Sequence, residues 1–385
     1  MASMTPKERV RAVFEGRAPD RVPIAHISVS SRVASQILGR DAYVGGGMNQ
    51  WREAVALWNG DDAHAEFCER ARQDAIAIAI ALDHDVVRPD YWRDSRRPAA
   101  RLDEHTFRYE TPDGSQWEVM RLDPVTELYS AVARSPRPEL QVSDLEAVVA
   151  RAEEDAERYR PRVDDFPEAC YALEKVGHER EVRGPGVSTS IPVGQPAWLE
   201  ATLLRPDLVG RYLDAQVTRS IRNTEVLARI GIRLFFGGGD FASNLGPMYS
   251  PRVFHDLMLP RLERVSEACH RAGAYHLFGT DGNVWPVAED LYGRSGIDGH
   301  YELDRRAGMD ILKVHERYPH ITMVGNISSF TLHTGSPAEV AAETRACLFE
   351  AKQTNKVIAG CSNIIVPETP LQNVEAMLRA ISECR

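Results

Sequence analysis

A series of polar residues falls at the ends of short apolar runs in the second half of the chain: Asp240, His276 with Asp281, Glu302, Asn326, and Cys361 with Asn363. A histidine, a carboxylate and a thiolate on neighbouring strand ends make an open zinc site, three protein ligands leaving a fourth position for substrate. His276, Glu302 and Cys361 are the candidate ligands on that reading, with Asp240, Asp281 and Asn326 as catalytic candidates beside them. Their spacing is not a metal signature, so only the fold can bring them together. Each also has a plainer role open to it. His276 and Cys361 suit a packed core, Asp281 the cap of a helix starting near Pro286, Glu302 an exposed loop, and Asp240 a bond to neighbouring loop amides.

The elements that must position these residues alternate regularly. Short β-prone runs at 186–193, 232–238, 274–278, 297–301, 321–327 and 357–365 are separated by helical stretches such as 251–272, 286–293, 304–318, 337–353 and 370–382. Pro251, Pro337 and Pro370 stand where a first helical turn tolerates a missing N–H, with Ser250, Ser336 and Thr369 before them as caps. Strand–helix repetition implies a parallel sheet covered by helices. No Gly-x-Gly-x-x-Gly turn follows a strand, and Gly237-Gly238-Gly239 has the wrong spacing, so closure into a (β/α)8 TIM barrel is expected rather than a doubly wound sheet. Function in such a barrel collects where strands end, which is where the polar series lies.

The first half is less regular. Residues 21–27 read as the first barrel strand, 50–59 and 62–81 as helices, 106–111 and 116–121 as a hairpin turned by Pro112-Asp113-Gly114, and 138–164 as a charged surface helix. The expectation is one barrel domain over 1–385, with its N-terminal elaboration at about 35–165. His26, Trp51 and Trp92, large amphipathic groups in this half, are expected to help cover the mouth and bind substrate.

The chain has 385 residues, 43% hydrophobic and 26% charged, the balance of a folded globular protein. A net charge of -10 would repel a phosphate backbone, which argues against nucleic acid as a partner. No apolar run is long enough to span a membrane, and the opening Met1–Lys7 has no apolar signal core. The six cysteines form no Cys-x-x-Cys pair, so a disulfide framework is not expected and a cytoplasmic location is. A Gly-x-Ser-x-Gly elbow, a Walker loop and a His-Glu-x-x-His helix are all missing; His315-Glu316 lacks the second histidine.

The opening Met4-Thr5-Pro6-Lys7-Glu8-Arg9-Val10 with Gly16-Arg17-Ala18-Pro19-Asp20-Arg21-Val22-Pro23 resembles the start of the uroporphyrinogen decarboxylase-like superfamily. Matches continue in order through Ser250-Pro251, the His276…Asp281-Gly282-Asn283 loop, Gly296-Ile297-Asp298-Gly299, Gly325-Asn326-Ile327 and Val366-Pro367. The resemblance implies a (β/α)8 barrel. Within the superfamily the chain is similar to the corrinoid-dependent methyltransferases, including those that demethylate methoxylated compounds. Residues 26–32 carry a single arginine, Arg32, too few cations for a tetrapyrrole with many carboxylates. In thiol-methylating members a His-x-Cys pair and a later Cys bind zinc; here His276 and Cys361 match, but Phe278 stands where the first Cys belongs, and Glu302 is the candidate substitute.

What the resemblance implies is methyl transfer from a small methylated, methoxylated substrate to a cobalamin carried by a separate corrinoid protein, with zinc at the barrel mouth. Asp298-Gly299-His300 begins like a cobalamin-binding loop, but Leu303 stands where its glycine is required. A metal-free decarboxylase of a small carboxylate, which would want arginines lining the mouth, is the alternative. A non-catalytic role in binding a corrinoid protein is a third reading.

Overall fold

The computed structural model describes residues 3–385; Met1 and Ala2, part of the opening segment read for a signal core, lie outside it. Nine short strands build the centre: β1 (Ser28–Val29), β2 (Val86–Val87), β3 (Glu181–Gly184), β4 (Leu234–Gly238), β5 (Tyr275–Gly279), β6 (Gly299–Tyr301), β7 (Thr322–Val324), β8 (Val357–Ile358) and β9 (Ile364–Ile365). β2 to β8 form one curled parallel sheet in chain order. Its two edges meet on residues 23–29. Ala25 N–H donates to Ala359 O (2.9 Å) and Ala359 N–H to Pro23 O (2.8 Å) on one side; Asp85 N–H donates to Ile24 O (2.7 Å) on the other. β1 continues the seam against β9, and the barrel is closed.

Side chains alternate across each strand. Leu234, Phe236, Leu277, Val324 and Ile358 fill the interior, and Val10, Val13 and Phe14 of helix α1 (Pro6–Phe14) pack into the same cluster. Phe14 stacks on Tyr275, the first residue of β5, at 4.1 Å between ring centres, so α1 seals the N-terminal end and leaves the other end as the mouth. The intervening residues face the helices: Phe235 packs with Val217, Leu227 and Val265, and Phe278 and Met323 join the largest cluster of the outer layer. α1 starts cleanly because Thr5 and Glu8 cap it reciprocally, with Pro6 in its first turn. Beneath the barrel, buried Asp85 accepts from Arg9 Nη1 (3.0 Å) and Ile24 N (2.7 Å) and pairs with Arg385.

Two expectations need correction. The third strand is Glu181–Gly184, not 186–193. That later run is a loop whose backbone is held by helix side chains instead of a neighbouring strand: Gln216 bonds both Ser190 N (2.9 Å) and Ser190 O (3.0 Å). The real third strand carries Glu181 and Arg183, which hid it from a search for apolar runs. The hairpin is part of a four-stranded antiparallel sheet, Ala100–Arg101, Thr106–Glu110, Trp117–Asp123 and Leu128–Arg134. Glu127, in the turn before its last strand, accepts from Ser31 N (2.9 Å) and Arg32 N (2.8 Å). Those N–H groups open helix α2 (Ser31–Leu38), so a carboxylate caps a helix terminus and fixes the added sheet beside the mouth.

Candidate active site

The mouth gathers carboxyl groups. Glu302 follows β6 directly, with φ at 68°, a left-handed conformation that a side chain adopts only at some cost. Burial pushes its carboxyl up to about 8, reinforced by the charges of Asp281 and Asp240 and opposed by those of Arg183 and Arg88. Burial also pushes Asp281 up, to about 6; Asn363 Nδ2 donates to its Oδ2 at 2.7 Å and pulls the other way, while Asp240 and Asp304 add to the rise. Two acids with values so displaced in one recess suit proton transfer near neutral pH. A cavity of about 330 Å³ opens beside Asp281, lined also by Asp304, Asn363, Asn244, Arg306 and Phe330.

Glycines hold this arrangement. Gly282, at φ 85°, lies so close to the 242–243 backbone that a Cβ would sit 2.7 Å from the Ala242 carbonyl; the Asp281 loop packs down only because Gly is there. A Cβ on Gly279 would enter the Tyr301 ring at 2.0 Å, so β5 gives the room in which Tyr301 lies across the interior.

Of the sequence candidates, Asp240, Asp281 and Glu302 share the mouth, each within the electrostatic reach of the others. The expected zinc ligands do not assemble. His276 is the second residue of β5, between inward Tyr275 and Leu277, so it faces the helices. Its Nδ1 lies 2.9 Å from Ser266 Oγ, its Nε2 is buried without a partner, and burial lowers its pKa to about 3. Cys361 is fully buried in the outer cluster, its thiol pushed up to about 12 by burial. Two of the three donors thus lie on the wrong face of their strands, and the set does not fit a metal ion. The strands that carry or precede these residues end at the mouth, as expected; the side to which the residues point is not the one a ligand needs.

Asn326 is fully buried and ties the loop after β6 to the barrel: its Oδ1 accepts from Arg305 Nε (2.9 Å) and its Nδ2 donates to Met309 O (3.1 Å). His26 is buried, its Nδ1 accepting from Cys361 N–H (2.9 Å), and faces His84 edge-on with ring centres 5.0 Å apart. Trp51 stacks on His105 in the added sheet's own cluster, away from the carboxyl groups. Trp92 is partly exposed and lies over Arg88, with 4.3 Å from guanidinium to ring.

Among the described residues, one other group places three potential metal donors within reach of each other: Glu53, His64 and Cys68. Arg93 already occupies it. Its Nη2 donates to Glu53 Oε1 (2.6 Å) and Cys68 Sγ (3.1 Å), its Nε donates to Glu53 Oε1 (3.0 Å), and Asp94 N–H takes the other Glu53 oxygen (2.9 Å). A guanidinium supplies the positive charge a metal would bring, and this cluster reads as a buried ion pair joining two helices to the 93–94 segment.

The arginines of the mouth, Arg88 after β2 and Arg183 in β3, were missed. Arg183 sits 4.7 Å over the Phe236 ring, and burial followed by repulsion from Arg88 lowers its pKa to about 10. The only signal in the sequence was charge inside otherwise strand-like stretches.

Comparison with known proteins gives a consistent picture. Residues 198–384 match the family model described as uroporphyrinogen decarboxylase (URO-D). Two proteins named methylcobamide:CoM methyltransferase MtaA, from Methanosarcina barkeri and its strain Fusaro, are 24% and 26% identical to the chain over 216 residues. That is 54% of this chain and 60% of each relative, so the chain spans about 60% of the length of the curated relatives it matches. A solved methyltransferase from Methanosarcina mazei covers 99% of this chain with a TM-score of 0.64 at 21% identity, which shows a shared fold.

Proposed function

We propose that the chain, whose residues 198–384 match the uroporphyrinogen decarboxylase (URO-D) family model, is a corrinoid-linked methyltransferase acting on a small methylated, methoxylated substrate. The observation that carries the reading is the similarity to MtaA methyltransferases combined with displaced carboxyl groups at an open barrel mouth. A corrinoid held by a separate protein supplies the nucleophile that takes the methyl group. The chain's own residues do the rest. Glu302, neutral at pH 7 with its value near 8, donates a proton to the oxygen that loses the methyl group. Asp281, oriented by Asn363, holds the substrate's polar atoms in place. No step runs through zinc.

The rim suits a protein partner. Leu245 is 94% exposed at the tip of the Ala242–Ser243 and Gly246–Pro247 ribbon after β4; Met248, just past that ribbon, and Phe330, in the short helix Ser329–Thr334 after β7, are about half exposed. Exposed apolar groups around a polar recess are what a docking corrinoid domain needs. The test mixes the protein with reduced corrinoid, free or carrier-bound, and a panel of methoxylated aromatics, following the corrinoid spectrum. Substrate-dependent methylation of the corrinoid is expected. Its absence with a cognate carrier, or steady release of carbon dioxide without corrinoid, overturns the reading.

A second reading, a metal-free decarboxylase of a small carboxylate, is favoured by one observation: two arginines, Arg88 and Arg183, do line the mouth.

A further inference from the structure

Buried guanidinium groups in this chain are commonly paired with carboxylates: Arg9 with Asp20 and Asp85, Arg93 with Glu53 and Glu168, Arg385 with Asp83 and Asp85. Arg88 and Arg183 depart from that habit. Arg183 points inward from β3, since Val182 beside it packs in the outer layer. Among the described residues its guanidinium makes no hydrogen bond and no ion pair; its contact is the face of Phe236. Arg88 donates only to the backbone carbonyls of Asp90 (2.6 Å) and Ile27 (3.4 Å). The two cations repel each other, and Glu302, whose field reaches both, is held neutral near pH 7. Both arginines keep partial solvent exposure, so they line an accessible recess rather than a sealed core. The Asp90 charge offsets this repulsion at Arg183 only in part and pairs with neither guanidinium, and like charges so placed are costly unless something of opposite sign completes them.

We propose that Arg88 and Arg183 are the receptor for an anionic group, a carboxylate or sulfonate, on the small molecule that enters the barrel mouth. A planar guanidinium binds such a group through two parallel N–H donors, and Arg183 keeps its donors uncommitted. Phe236 behind Arg183, Trp92 over Arg88 and Tyr301 across the interior add aromatic surface to the recess, which suits an aryl acid. The proposal rests on the mouth being the reaction site, and it names the class of substrate that site takes.

Calorimetric titration of the purified chain without corrinoid tests it, with benzoate, benzenesulfonate and inorganic phosphate as anions and benzamide as the neutral match. At least one organic anion should bind ten-fold or more tighter than benzamide. That preference should disappear in Arg183→Met, shrink in Arg88→Gln, and persist in part in Arg183→Lys. Arg183→Met should also melt higher than the parent at low ionic strength, because a repulsion is gone. Phosphate binding as tightly as both organic anions, no anion exceeding benzamide, or an unchanged preference in both Arg183→Met and Arg88→Gln overturns the proposal. Failure of methyl transfer would leave these binding results standing, so the two readings fail separately.

Discussion

Replacing Glu302 by Gln should make the protein more stable at high pH, and by an amount that the structure fixes in sign and scale. The Glu302 carboxyl stands at about 8 in the fold against an ordinary value of 4.5. Between those two values the folded chain holds a proton that the unfolded chain has released, so stability falls as pH rises through that window. Each unit is worth about 1.4 kcal/mol, which sets a ceiling of about 5 kcal/mol. Glu302 keeps some exposure, and solvent screening reduces the expected effect to about 2–3 kcal/mol. Gln preserves size and the left-handed backbone but carries no titrating proton. Urea unfolding of the parent and Glu302→Gln at pH 5, 7 and 9 reads the difference directly. The two should agree near pH 5 and separate steadily to pH 9, Gln being the more stable. Parallel curves, or a parent that gains stability on the variant as pH rises, would refute a buried, proton-holding Glu302 and with it the proton donor proposed above.

Asn363→Ala removes an amide donor from Asp281, so the carboxyl should titrate above its present value of about 6; carbon NMR of labelled aspartate reads the upward shift. His276→Ala should leave the zinc content of the purified protein unchanged, while the lost buried ring and the unpaired Ser266 hydroxyl cost about 2–4 kcal/mol in urea unfolding. A changed zinc content would restore His276 as a ligand. Leu245→Asp should alter stability by less than about 0.5 kcal/mol, because the side chain is exposed. It should slow methyl transfer to the carrier-bound corrinoid several-fold and leave transfer to free corrinoid intact; equal slowing of both would deny a docking role.

The fold was legible where apolar runs alternate with capped helices. β4 to β8 fall on the stretches their sequence marks, β5 running one residue beyond its own, because most of these strands are buried on both faces and sit in apolar runs. β2 and β3 escaped for the opposite reason: one is two residues long, and the other carries Glu181 and Arg183. Asp240, Asp281 and Glu302 could be placed at the mouth because they closely follow β4, β5 and β6, and the ends of parallel barrel strands face the mouth. His276 and Cys361 were misread because position along a strand says how near the mouth a residue is, while the two-residue period says which way it points. One residue decides between catalysis and core. Arg88 was not singled out for a different reason: its neighbour Arg183 lies 95 positions on, and only the parallel pairing of β2 with β3 brings the two side by side.

The seam that closes the barrel has a consequence for how the chain is made. Residue 26 contacts residue 361, 335 positions later, and residues 23–25 pair with residue 359. During synthesis the first strand therefore has one permanent neighbour absent until nearly all the rest has been translated. Until then the growing sheet carries two bare edges, at residues 23–29 and at whichever strand was made last. Contacts of such long range form slowly and leave backbone donors and acceptors open to other chains in the meantime. A nascent chain stalled before residue 357 thus holds all of the barrel's strands but the last two and is an open cylinder with two adhesive rims, and it is at this stage that chaperones have most to protect.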